Sequence, residues 1–464
     1  MRLPESIETH GYFWLAGKPD NRLTGVLRIS ERGEASLEMF GAFDSPSNGP
    51  PKGLPGQGLH ILGVTDKAGP VTLVNCFVTE QTDVFDIELL SRSSQLSKSS
   101  LYVDCVFWRA HFDTEAICFS GMTFAVEGLD EWFALHHHPF SHDMDPTGRM
   151  SVTYTQPEPT VFQLPDNLSI AFHMGVGTSS RMFQEAITTK MSVRIESSRM
   201  RSFSEFMEVL RKVKNFICLA LDRSVSFTSI TGSRLELNPP HDSVVIYGQF
   251  DPYDLPKEDI NIGNFLMSFN DIAHNVHEYL PRWLERYDEY EPTFNLYFAV
   301  AANPHMHLEG GFLFLVHGIE SLHRRSSSEM RMPAEEFNSL RDSILQSTPD
   351  TRKNWVRDRL KYANELSLRS RIRKMVTPFS DLFGTESARE TFISQVVNTR
   401  NYLTHYDQGI KEQAVTEDGE LLRLHFKLEA LVQLHLLRLL GIDYDQIRNM
   451  ATRYPPLRRK LGIE

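Results

Sequence analysis

The sequence predicts a multidomain α+β fold, with a β-rich, sandwich- or barrel-like domain over residues 1–255 and an all-helical region over 262–464. Three observations carry that expectation. The chain has 464 residues, and single cores stop growing near roughly 250–300 residues, so two or three domains are needed. As far as Phe250 the apolar residues fall in short runs rich in Val, Ile, Phe and Thr, separated by turn residues. From Ile262 onward the apolar spacing becomes helical.

Strands are expected at Leu23–Ile29, Ala35–Phe40, Val71–Val78, Val84–Leu90, Leu101–Phe107 and Ala116–Val126. The Gly- and Pro-rich stretch from Ser45 to Gly58 separates the second and third of these. In the run Leu101–Phe107, Leu101, Val103, Cys105 and Phe107 alternate with Tyr102, Asp104 and Val106, the period of a strand with one face inward. Further strands are read at Ser151–Thr155, Leu168–Met174, Met191–Glu196 and Val244–Phe250. A helix over Phe203–Leu221 interrupts them, with Phe203, Phe206, Met207, Leu210, Val213 and Ile217 on one stripe. The aromatic residues of this half (Phe13, Trp14, Phe40, Phe43, Trp108, Trp132 and Phe133) are assigned to its core. Asp251–Asp259, with Pro252 and Pro256, marks the boundary. Helices follow at Ile262–Arg286, Leu296–Ala302, Leu308–Arg324, Ala334–Leu345, Arg352–Met375, Ser387–Leu403 and Leu421–Leu440, with a short one at Tyr444–Thr452. Pro333 suits a first helical turn, and Gly441 a helix stop.

Hydrophobic residues make up 41% and charged residues 23%, a globular rather than a disordered composition. The four cysteines, Cys76, Cys105, Cys118 and Cys218, form no C-x-x-C pair, which argues against a zinc ribbon or a disulfide framework. The first residues lack a basic segment followed by an apolar run, and no apolar stretch nears the roughly 20 residues of a membrane span. A cytoplasmic protein without a membrane partner is expected.

The formal net charge of −12 is unevenly spread. Residues 290–464 hold 24 Lys+Arg against 22 Asp+Glu, so the first 289 residues carry a net of −14. Within the helical half, Arg352, Lys353, Arg357, Arg359, Lys361, Arg369, Arg371, Arg373 and Lys374 face only Asp358 and Glu365 over residues 352–374, a local net of +7. Such a block can follow a phosphate backbone, and the bland alternative is a solvated helix face paired with the acidic half.

One motif carries chemistry. Arg400-Asn401-Tyr402-Leu403-Thr404-His405 is an R-N-x-x-x-H sequence near the end of a helix. An Arg with a His five residues later is expected by chance about 1.3 times in this composition, but requiring Asn after the Arg lowers that to about 0.05. On a helix Asn401 and His405 lie on nearly one face, with Arg400 about 140° away from His405. When an RNA 2′-hydroxyl attacks its own 3′ phosphate, His can move the proton. The Arg fork and the Asn amide can hold the phosphoryl oxygens. No metal or other cofactor is needed for that step. One copy of the set is thin, and a two-fold dimer would supply two histidines for the acid and base roles. Alternatively, Arg400 pairs locally with Asp407 and His405 is an ordinary edge histidine.

The helical half resembles the ApeA-like branch of the HEPN domains over about Phe294 to Ile442. The likeness rests on HMHLEGGFLFLVHGIESLHRR (His305–Arg325), VVNTRNYLTHYDQ (Val396–Gln408) and FKLEALVQLHLLRLLGI (Phe426–Ile442). The segment GYFWLAGKPDNRLTGVLRISERGEASLEMFG (Gly11–Gly41) is similar to the N-terminal domain of ApeA proteins of bacterial anti-phage defence. The resemblance implies a metal-independent endoribonuclease whose R-x-x-x-x-H motif lies at a HEPN dimer interface. It places the family's Arg on Arg400, its polar second residue on Asn401 and its His on His405. It also implies a sensing or regulatory N-terminal domain and a phage-derived trigger. Some HEPN toxins carry a modified Tyr two residues after the His; here that position is Asp407, with Tyr406 before it. The alternative reading is a non-catalytic HEPN-fold scaffold whose β domain binds a phage or host component.

Three further groups of residues stand out. Glu309 and Glu320 are candidates to orient Arg400 from behind. His136, His137, His138 and His142 look like a metal cluster, but adjacent strand residues point to opposite sides and no nearby Cys completes a set, so a surface loop is expected and no metal assigned. His305, His307, His317 and His323 are expected at ordinary polar positions.

Overall fold

A computed structural model of the chain describes residues 1–43, 58–85, 95–114, 116–133, 140–148, 150–182, 184–233, 243–251 and 260–463. The chain forms two compact units, Met1–Ile262 with Ser268–His277, and Gly263–Met267 with Glu278–Glu464.

The first unit begins with a closed sheet. Strands β1 (Ile7–Leu15), β2 (Leu23–Ile29), β3 (Ala35–Phe40), β4 (Leu59–Thr65), β5 (Gly69–Phe85) and β6 (Gln95–Trp108) pair antiparallel in the order β6-β3-β2-β1-β4-β5, and β5 returns to β6. The six strands therefore make a barrel without a free edge. Period-two patterning fills it: Leu27 and Ile29 of β2, Ala35, Leu37 and Met39 of β3, and Leu101 and Val103 of β6 enter one core. Phe13 occupies the space beside Gly63, where a Cβ would stand 2.5 Å from its ring.

Where β6 leaves β3, its last residues Cys105–Trp108 take up the strand Val244–Gly248 (β14), and a second run of the sheet continues from there. That run contains β7 (Cys118–Val126), β10 (Thr160–Leu164), β11 (Leu168–Arg181), β12 (Gln184–Ser202), β13 (Phe227–Ser233) and β14 (Val244–Gly248), in the order β14-β13-β7-β12-β11-β10. A separate hairpin joins β8 (Phe140–Met144) to β9 (Met150–Tyr154). Helix α1 (Leu129–Phe133) is short, and α2 (Phe203–Leu221) packs on β7 and β12 through Phe206, Leu210, Val213 and Ile217. Ser202 and Glu205 close a capping box at the start of α2. Trp132, Phe133 and Phe172 meet Phe269 of α3 (Phe269–Ile272) edge-on or tilted. Of the expected core aromatics, Phe40 is instead exposed, because it falls on the outward phase of β3.

The β expectation holds, with differences in detail. Strands β1, β4, β8, β10 and β13 are not among the expected ones, since their short runs mix apolar with polar or glycine residues, and His142, expected in a loop, lies on β8. The expected strands Val71–Val78 and Val84–Leu90 belong in part to one long β5, and residues 86–90 lie outside the described residues. So do most of the Ser45–Gly58 stretch, Pro252–Asp259 and His136–His138.

The second unit is all-helical: α4 (Val276–Glu289), α5 (Glu291–Ala302), α6 (Leu308–Ser326), α7 (Ala334–Ser347), α8 (Asp350–Leu360), α9 (Leu368–Val376), α10 (Glu386–His405), α11 (Asp418–Leu439), α12 (Tyr444–Arg453) and α13 (Pro455–Leu461). Its centre is α11, which packs against α6, α10, α12 and α13. Gln433 of α11 is fully buried and satisfied, donating to the Tyr297 hydroxyl at 2.8 Å and accepting from Lys460 at 3.3 Å. Gly311 of α6 admits His425 of α11, whose Cε1 lies 3.1 Å from where a Cβ would stand.

The expected helix Arg352–Met375 is two helices. α8 ends at Leu360, and Ser367 starts α9 by accepting from the Ser370 amide at 3.3 Å. Between them Asn364 accepts from the Met332 amide and donates to the Met332 carbonyl, both at 3.0 Å, while Met330 and Glu365 form a β-bridge. The expected helix Ile262–Arg286 is broken in the same way: Ser268 donates to the Asp271 carboxylate and opens α3 separately from α4.

Candidate active site

Arg400, Asn401 and His405 occupy the last two turns of α10. The helix exists because Thr385 caps its start and Phe392, Ile393, Val396, Thr399, Tyr402 and Leu403 bury one face. That buried stripe turns the motif residues outward: Arg400 and Asn401 are half-buried, and His405 is exposed at the end. Arg400 and His405 are about 7.5 Å apart along the axis, and Asn401 lies one turn before His405.

The helix end is held firmly. Tyr406 terminates it with a φ of +51°, its ring 5.7 Å from Tyr402 in an edge contact. Asp407 accepts from the Gly409 amide at 2.9 Å and caps the following turn. The buried Thr399 hydroxyl accepts from the Val415 amide at 2.9 Å, fastening the returning chain to α10. Asp407 is thus spent on its own turn rather than on Arg400.

Arg400 is under-used by the fold. Its Nη1 donates to Asn401 Oδ1 at 3.1 Å, whereas its Nε is buried with no hydrogen-bond partner among the described residues. The same contact commits the Asn401 oxygen inward and leaves the Asn401 NH2 as a donor. An amide with spare donors one turn before an exposed imidazole, and a guanidinium hydrogen-bonded to that amide, are groups that suit a phosphodiester.

The remaining candidates scatter. Glu320 accepts from Arg324 at 3.2 Å and is not a partner of Arg400, so its expected orienting role is corrected. Glu309 is exposed in the first turn of α6, where a carboxylate complements the helix N-terminus, and it does not hold Arg400. The nine cations of residues 352–374 do not share one surface. Arg352, Lys353, Arg357 and Arg359 lie on α8, with Lys361 just past it. Arg369 of α9 donates to Ser394 of α10 at 2.8 Å, Arg373 makes a bidentate pair with Glu390 at 2.9 and 2.7 Å, and Lys374 pairs with Glu329 at 2.7 Å. Arg371 must be withdrawn from any RNA surface. It is buried, donating to the Leu366 carbonyl and to His323 Nδ1 and pairing with Glu365.

Of the histidines, His305, His307 and His317 are exposed, and His142 is exposed on β8. No group of three or more potential metal ligands occurs among the described residues. Burial and the Arg371 guanidinium press the His323 pKa below its ordinary value. Burial and Lys460 push His425 down to about 4. Burial takes His435 to about 4 as well, although its Nε2 lies 2.8 Å from the Met375 carbonyl. All four cysteines are free thiols, and no described helix is long and apolar enough to cross a membrane.

The sequence reading missed two exposed aromatics, Trp355 and Tyr362. Their spacing from Arg352 and Arg359 is visible in the sequence, but the break that ends α8 at Leu360 is not, and one uninterrupted helix over Arg352–Met375 draws attention to its cations alone. A cleft of about 690 Å³ between α10, α11 and α13 is lined by Arg423, Lys427 and Arg459 and by none of the motif residues.

Comparison with known families gives two matches: ApeA N-terminal domain 1 over residues 8–283, and Apea-like HEPN over residues 313–446. No curated protein and no solved structure matches the chain. The Arg400–His405 motif lies inside the second match, and the first covers more than half of the chain. The chain therefore belongs to the ApeA family, with an ApeA N-terminal domain followed by an Apea-like HEPN domain.

Proposed function

We propose that this chain is a bacterial anti-phage defence effector that cleaves RNA without a metal at Arg400, Asn401 and His405, in a site composed by two copies of the HEPN domain. The observation that carries the reading is the Arg400 guanidinium: half-buried, without a carboxylate partner or a partner for its Nε among the described residues, and with an exposed His405 one to two turns away. A guanidinium that no carboxylate holds keeps its charge available for an arriving phosphate oxygen, a charge-assisted contact.

In the proposed step the 2′-hydroxyl oxygen attacks the adjacent phosphorus as one His405 imidazole takes its proton. The bond from phosphorus to the 5′ oxygen breaks, and His405 of the second copy protonates the leaving oxygen. The products are a 2′,3′-cyclic phosphate and a 5′-hydroxyl, so atoms and charge balance. Arg400 and the Asn401 amide stabilise the charge that builds on the phosphoryl oxygens. A phage-derived trigger releases the activity during infection.

His405→Ala and Arg400→Ala should each lower RNA cleavage at least about 100-fold and abolish phage protection. Circular dichroism and oligomer size should be unchanged, because neither side chain belongs to the buried core of α10. A pure His405→Ala protein cleaving at the wild-type rate would overturn the proposal and leave a binding protein on a HEPN fold.

A further inference from the structure

Helices α7 and α8 form an arm. Neither contains a buried residue, and their main packing partner is each other. The arm is nevertheless firmly mounted. At its neck Asn364 clamps Met332 through two hydrogen bonds. Glu365 of the neck pairs with Arg324 of α6 and with the buried Arg371 of α9.

One face of α8 carries a pattern the fold does not use. Arg352, Trp355 and Arg359 follow each other at intervals of three and four, which at 100° per residue keeps them within about 60° of arc, and Tyr362 stands in the turn just past the end of α8. All four are exposed, Trp355 at 63% and Tyr362 at 64%. The guanidinium of Arg359 stands 5.7 Å from the Trp355 ring, and the Lys361 ammonium 5.2 Å from the Tyr362 ring. Asp350 and Asn354 engage Lys353 and Arg357, flanking the stripe. The two arginines are about 10 Å apart along the helix, and Tyr362 follows Trp355 at the same interval of seven residues.

We propose that this stripe is a docking surface for single-stranded RNA, bases stacking on Trp355 and Tyr362 while Arg352 and Arg359 hold the phosphates between them. Duplex RNA keeps its bases stacked inside and offers such rings no face; unpaired bases do. Alternating cation and ring is the chemistry of a strand whose phosphates and bases alternate. An acidic protein surface would meet the cations but would leave two large aromatic faces in water. The inference deepens the ribonuclease reading by naming an unpaired strand as substrate, yet RNA binding does not require that the chain cleave.

The test uses the full chain with His405→Ala, so that RNA stays intact, and follows fluorescence anisotropy of a labelled unstructured oligoribonucleotide. Trp355→Ala and Tyr362→Ala should each weaken binding at least about fivefold. Replacing Arg352 and Arg359 together with Gln should flatten the slope of log affinity against log salt by about 1.4, at about 0.7 per phosphate contact. A duplex of the same length should compete poorly. Wild-type affinity in the Trp355→Ala, Tyr362→Ala double variant, equal competition by the duplex, or no binding at all would overturn the proposal. No buried side chain is altered, and an unchanged melting temperature confirms folding. Should the unsubstituted chain bind RNA in this way yet cleave none even in phage-infected cells, the nuclease reading falls and this one stands.

Discussion

From Ala430 to Leu437 every side chain of α11 is buried, whereas α7 and α8 bury none. Both regions have helical sequences in the same unit, yet they divide the tasks. The apolar side chains of this stretch of α11, with one amide and one imidazole, hold the bundle by packing on α6, α12 and α13. The arm contributes nothing to that core, so its Trp355, Tyr362 and arginines are free of folding duty. The lesson is that the local charge of a segment says less about its function than whether its neighbours already claim those charges. Arg371 and Arg352 lie in one basic run, and the first is claimed while the second stands open in solvent.

The largest effect that would sharpen this contrast is a core truncation. Leu434→Ala at the buried centre of α11 should cost about 2–5 kcal/mol, against less than about 0.5 kcal/mol for Leu340→Ala on the arm. Thermal or urea denaturation of the two variants checks it, and equal losses would mean that the arm packs as core.

Acid should separate the regions next. His435 is neutral in the folded bundle with a pKa of about 4, against about 6.5 in an unfolded chain. The unfolded chain therefore takes up the proton first. Stability is fully present above pH 6.5, falls as the pH drops, and levels off below about pH 4, by as much as about 3 kcal/mol. His425 adds in the same direction. His435→Gln, which keeps a donor for the Met375 carbonyl, should flatten the pH dependence of unfolding between pH 6.5 and 4. An unaltered slope would show that His435 does not carry it. The smallest effect concerns the arm: Trp355→Ala should leave the melting temperature within about 2 °C of the wild type at any pH in that range.

Much of this was legible in the sequence wherever the signal is local. Helix α2 spans the residues its apolar stripe marks, and α6, α10 and α11 follow theirs to within three residues at either end. The Arg400-Asn401-His405 motif was legible for the same reason, since its members lie within two turns of one helix. What the sequence hid is long-range. Barrel closure depends on β6 meeting both β3 and β5. The fates of Arg373 and Lys374 depend on Glu390 and Glu329, carboxylates distant in the chain. The break between α8 and α9 depends on Asn364 finding Met332 across the neck. The unpaired Nε of Arg400 is visible only once the surrounding helices are in place.

The proposed division between an RNA-binding arm and a cleaving helix end is tested most directly by steady-state cleavage of one unstructured RNA, with kcat and KM measured separately. Trp355→Ala should raise KM at least about fivefold with kcat unchanged, whereas Arg400→Ala and His405→Ala should lower kcat at least about 100-fold. A Trp355→Ala protein that loses kcat at unchanged KM, or a His405→Ala protein with wild-type kcat, would contradict it.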